Sequence, residues 1–142
     1  MVLIVGLAGI QFIPVSLNQS NNIPKEDIIS SYEPPKEIAN ILKTSCYDCH
    51  SNNTIYPWYS KLQPFAWLME KHIREGKDEL NFNEFTSYSI RRQRSKLKSV
   101  ISQIKKDEMP LDQYTLMHKD AILSEQMKTQ LITWVEQLKD SI

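Results

Sequence analysis

Three glycines, two cysteines and no net charge are what this 142-residue chain offers where other folds would spend freely, with Lys+Arg and Asp+Glu both numbering 17. So little glycine, beside abundant Leu, Ile, Lys and Glu, disfavours a turn-rich β architecture and favours helices. Two cysteines cannot complete a four-thiolate zinc site, and the histidines that could substitute, His72 and His118, lie far along the chain. A balanced charge gives no footprint for nucleic acid, so any charged docking patch must be local. Charge is also missing from the start: no charged residue precedes Lys25. The length suits one domain, and an apolar fraction of 41% suffices for a modest core.

Both cysteines fall in the run Cys46-Tyr47-Asp48-Cys49-His50. C-x-x-C-H is the attachment pattern of a c-type haem. Two thiols on one short turn can each reach a vinyl group of the same porphyrin, and the next residue then lies beneath the iron. A thioredoxin-like dithiol would instead want a βαβ context, whereas a helix is expected before this motif. A Cys46–Cys49 disulfide would enclose a tiny loop and add little by chain entropy. One covalent haem c per chain is therefore expected, with Cys46 and Cys49 as attachment points and His50 as proximal ligand.

Val2 to Val15 is apolar except for Gln11. Such a stretch is a signal core or an anchor, although at ~1.5 Å per residue Val2 to Leu17 spans only about 24 Å of a roughly 30 Å hydrocarbon core. The expected organisation is an N-terminal membrane anchor or signal segment over 1–17, a polar linker over 18–35 and a haem-binding domain over 36–142. Either export reading places the domain on the extracytoplasmic side, where c-type haem is attached.

Within the domain, Ile38, Ile41 and Leu42 predict a helix after Pro34-Pro35 that delivers Cys46 at its end. A second helix is predicted from Lys61 to Glu75, stopping at Gly76, with Leu62, Phe65, Ala66, Met69 and Ile73 on its apolar face. The aromatic group Tyr56-Pro57-Trp58-Tyr59 suits either haem cover or core filling. A third helix carries Leu97, Val100, Ile101 and Ile104 after the basic run Arg91-Arg92-Gln93-Arg94, read as a solvated face or a propionate contact. A last helix runs from Ser124 to Asp140, with Ser124 as N-cap and Trp134 as a packing residue. Between the last two, Pro110 pushes Met109 out of the helical region into an extended turn. Its soft thioether makes Met109 the preferred distal ligand, with His72, His118 and Met117 as alternatives and Met69 and Met127 assigned to the core.

The residues 46–54 and 56–60, Leu80-Asn81-Phe82 and Met109-Pro110 together resemble the small bacterial haem-binding domain family related to cytochrome c. The resemblance covers about residues 34 to 140 and is most specific from Cys46 through Ser60. Phe85 stands where that family commonly carries a tryptophan. The resemblance implies an all-α, small cytochrome c-like helical domain wrapped around one covalently attached haem, preceded by the N-terminal hydrophobic segment. Single-electron transfer to redox partner proteins is the expected role, an electron carrier and not a catalyst. A haem-based ligand sensor or a peroxidase-type protein with an open distal site is the alternative.

Overall fold

The computed structural model describes residues 2–20 and 22–142. Met1 of the N-terminal segment and Asn21 of the linker lie outside the described residues. The elements in chain order are α1 (Val2–Ile10), α2 (Ile28–Tyr32), α3 (Lys36–Ser45), α4 (Tyr47–His50), α5 (Phe65–Glu79), α6 (Ile90–Lys105), α7 (Asp112–Met117) and α8 (Glu125–Ser141), with 3₁₀ turns at Trp58–Lys61, Phe82–Ser87 and Lys119–Ala121. No strand occurs among the described residues, as the glycine-poor composition requires.

The core is built where α8 packs on α6 and on α3. Leu97 and Ile104 of α6 meet Leu131, Val135 and Leu138 of α8, spaced three and four residues apart so that one stripe faces inward. Ile38, Ile41 and Leu42 complete the cluster from α3. Phe85 is fully buried and meets Tyr32 and Tyr88 edge-on, with ring centroids 6.1 and 6.3 Å apart. Phenylalanine therefore fills its position without a larger ring. α6 and α8 start at serine caps: the Ser89 hydroxyl accepts from the Arg92 amide at 3.4 Å and that of Ser124 from the Met127 amide at 3.2 Å.

Several expectations change. The N-terminal helix ends at Ile10, and no helix among the described residues is long and apolar enough to cross a membrane. Pro14 is the local cause, because it disfavours helical geometry at Ile13 and removes an amide donor. The segment 18–35 departs from a free linker. It contains α2, its Ile28 is 1% exposed in the core, and the Asp27 carboxylate caps α2 through the amides of Ile29 and Ser30 at 2.9 and 3.0 Å. Asn18 is tied down as well, donating to the Ser51 carbonyl and Thr54 hydroxyl at 2.8 and 2.9 Å and accepting from Lys77 at 2.7 Å.

The helix expected to stop at Gly76 runs on to Glu79, beginning at Phe65 and not at Lys61. Gly76 has no positive φ, so it does not end the helix. It serves a close approach instead: a Cβ there would lie 2.7 Å from the Cys49 carbonyl oxygen and 3.2 Å from Cys49 Cβ. Without a side chain, α5 can rest directly on the backbone of α4.

Candidate functional site

The motif residues share one turn of backbone. Cys46 ends α3, its amide bonded to the Leu42 carbonyl at 3.0 Å, and its own carbonyl accepts from the amides of Cys49 and His50 at 3.2 and 3.0 Å. Spacings of three and four residues place Cys46, Cys49 and His50 on one side of that turn. The two thiols are free, and burial pushes Cys46 up to about 12 and Cys49 up to about 11, with the neighbouring Cys49 and Asp48 charges adding to each.

His50 Nδ1 lies 2.9 Å from the Leu80 carbonyl oxygen, a contact that makes Nδ1 the protonated nitrogen and leaves the Nε2 lone pair free. Burial lowers its pKa below the ordinary value, favouring that neutral form, while the Leu80 and Gly76 carbonyls pull the other way. The Phe82 ring meets the imidazole edge-on at 6.0 Å. Beyond His50 the chain is held by amides and carbonyls: Asn52 donates its backbone N–H to Asn83 Oδ1 at 2.6 Å, and Asn81 Nδ2 donates to Asn52 Oδ1 at 2.8 Å.

Cys46, Cys49 and His50 line a cavity of about 550 Å³, within the range of cofactor sites. One wall is α5, whose Phe65, Leu68, Met69, His72, Gly76 and Glu79 recur at helical spacing along the cavity. A further wall is Met109, Pro110, Leu111, Tyr114, Leu116 and Met117. Met109 is delivered there by the end of α6. Asp107, at φ 56°, takes the left-handed position, its amide bonds Ile104 O at 3.2 Å, and the Glu108 amide bonds Gln103 O at 2.9 Å. That pair of bonds is a Schellman ending, which aspartate tolerates better than most residues.

Met109, His72 and Met117 thus line the cavity, and His118 does not. His118 stacks on Tyr114 with centroids 4.1 Å apart and has Tyr59 Oη 3.4 Å from its Nε2. Met69, expected in the core, is a cavity residue, whereas Met127 packs against the core from α8. Of the aromatic group, Tyr59 lines the cavity and Trp58 is 73% exposed, so neither cover nor core describes the tryptophan. The basic run lies away from the cavity: Arg92 sits over the Tyr88 ring at 4.2 Å and Arg94 reaches the Ile142 carbonyl.

These residues fit a haem. Paired free thiols and an oriented imidazole meet on one wall, a thioether lies on another, and the sides are mostly apolar. Phe65 and Leu68 keep 55% and 45% of their surface accessible, area that a flat apolar group seated between the walls would cover.

Sequence reasoning missed the roles of Leu68, Gly76 and Tyr114. Only the stripe at 65, 68, 69, 72 and 76 carried a readable signal, and it was hidden by the competing stripe of Ala66 and Ile73, which are buried on another side of α5.

No curated protein and no solved structure matches the chain. A family model described as a haem-binding domain matches residues 5–137, nearly the whole sequence. On that match the chain belongs to the haem-binding domain family.

Proposed function

We propose that this haem-binding protein is a mono-haem c-type cytochrome domain that passes single electrons on the extracytoplasmic side of a membrane. The observation that carries the reading is the convergence of Cys46, Cys49 and His50 with Met109 on one apolar cavity. When bound, haem supplies one-electron exchange between Fe(II) and Fe(III). The protein's part is positional. Cys46 and Cys49 would hold the haem covalently through their thiols, and His50, its tautomer fixed by the Leu80 carbonyl, and Met109 would be its iron ligands. The apolar walls exclude water, and with the thioether they favour the ferrous state and raise the potential. The apolar N-terminal segment holds the domain at the membrane, and the partners are redox proteins that reach the cavity edge. No further catalytic group is required by this role.

The test is a spectrum of the protein made with a c-type maturation system. Haem that survives acid-acetone extraction, a low-spin ferric state and a far-red sulfur-to-iron band that disappears in Met109→Ala are expected. Haem released into the solvent would refute covalent attachment. His72 and Glu75 also line the cavity and supply acid-base groups for the competing sensor or peroxidase reading. A high-spin parent that binds carbon monoxide at once would favour that reading instead.

A further inference from the structure

We propose that Tyr114 and Asp48 form a clasp that holds the Met109–Met117 wall against the haem-attachment turn and so governs access to the distal position. The proposal rests on the reading of Met109 as distal ligand.

Apart from His118, which follows the segment and has Tyr59 Oη 3.4 Å from its Nε2, the wall has little else to hold it. None of the six residues of α7 is buried, and Leu116 and Met117 are exposed. Apolar burial therefore anchors this segment weakly. Among the described residues, the bond from Tyr114 Oη to Asp48 Oδ2, at 2.7 Å, is the one hydrogen bond that joins residues 109–117 to the other walls of the cavity. All other hydrogen bonds of the segment are local, such as those from the Tyr114 and Thr115 amides to the Leu111 carbonyl.

Asp48 is prepared as an acceptor. It lies between the two cysteines, its Oδ1 accepts from the Ile55 amide at 2.9 Å, and its carbonyl accepts from the Thr54 hydroxyl at 2.6 Å. The carboxylate is thus fixed before Tyr114 arrives, and a phenol donating to an ionised acceptor makes one of the stronger hydrogen bonds. His118, stacked on Tyr114, restricts the ring on its far face. Asp48 and Tyr114 lie 66 residues apart and meet only in the fold, so one hydroxyl couples the Cys46–His50 motif to the segment that carries Met109. Tyr114 and Asp48 are positioning residues and need not touch the iron.

The test uses the matured holoprotein and two readouts: amide hydrogen exchange of residues 109–117 and the rate of carbon monoxide binding to the ferrous form. Tyr114→Phe removes only the hydroxyl. It is expected to raise both by about tenfold, as befits loss of a bond to a charged group, with haem content unchanged. Asp48→Asn keeps a polar partner and should fall within about threefold of the parent, while Asp48→Ala with Tyr114→Phe should exceed Asp48→Ala alone by little, because the two act through one bond. Parent-like exchange and parent-like carbon monoxide binding in Tyr114→Phe would overturn the clasp. Met109→Ala separates the two readings: if it leaves the spectrum intact, the ligand assignment fails, and the clasp then stands or falls on the exchange of 109–117 alone.

Discussion

Replacing Gly76 by alanine sets helix propensity against tertiary packing, and the two predict opposite signs. In a solvent-exposed helix interior the change would stabilise by about 0.8–1 kcal/mol. Here the added Cβ would lie 2.7 Å from the carbonyl oxygen of Cys49, and the obstacle is backbone, which cannot swing away as a side-chain tip does. Overpacking costs about 1–3 kcal/mol, and a backbone contact this short belongs in the upper half of that range. The net expectation is a loss of about 1–2 kcal/mol, obtained by subtracting the propensity gain. Urea titration of the holoprotein followed by far-ultraviolet dichroism measures it, and a midpoint lowered by about 0.5–1 M is expected for ordinary urea slopes. The haem yield during maturation should fall too, since relieving the clash moves α5 off the turn that carries both thiols. A Gly76→Ala protein as stable as its parent, or more so, with full haem content would refute the close-approach argument.

Asp27→Ala should cost about 3 kcal/mol in the same titration, because the 1%-exposed carboxylate caps α2 and also accepts from Tyr47 Oη and Asn83 Nδ2, both at 2.8 Å. Tyr47→Phe should cost clearly less, as it leaves the cap intact. Asn18→Ala should cost about 1–3 kcal/mol and speed amide exchange at Ser51–Thr54, a combination that a free tether would not produce. Leu131→Ala, at a fully buried position where α8 meets α6, should cost about 2–5 kcal/mol with the haem spectrum unchanged. A shifted spectrum would mean that core packing at Leu131 also sets the geometry of the cavity.

The Cys46–His50 turn was legible because its geometry is local. Cys46, Cys49 and His50 lie within five consecutive residues, and one helical turn brings them together whatever surrounds it. Three of the helices were legible for a related reason: the apolar spacing in α3, α6 and α8 states both the helical period and the inward face, and Ser124 marks where α8 begins. Other positions mean different things in different tertiary settings. Gly76 reads as a helix stop in sequence and is a contact surface for Cys49 in the fold, because a missing side chain serves a left-handed turn and a close approach equally well. Residues 18–35 read as a linker from their prolines and polarity, yet Asn18 and Asp27 spend that polarity on bonds to segments 33 and more residues away. On α5, two apolar stripes are compatible with one sequence, and only the placement of α4 and α7 decides that Phe65, Leu68 and Met69 line the cavity. The sequence by itself determined the helical class and the Cys46–His50 turn. Tertiary structure alone decided the Met109–Met117 wall and the Tyr114–Asp48 bond to it, since a hydrogen bond between residues 66 apart depends on how the whole chain closes and leaves no periodic trace in the residues that make it.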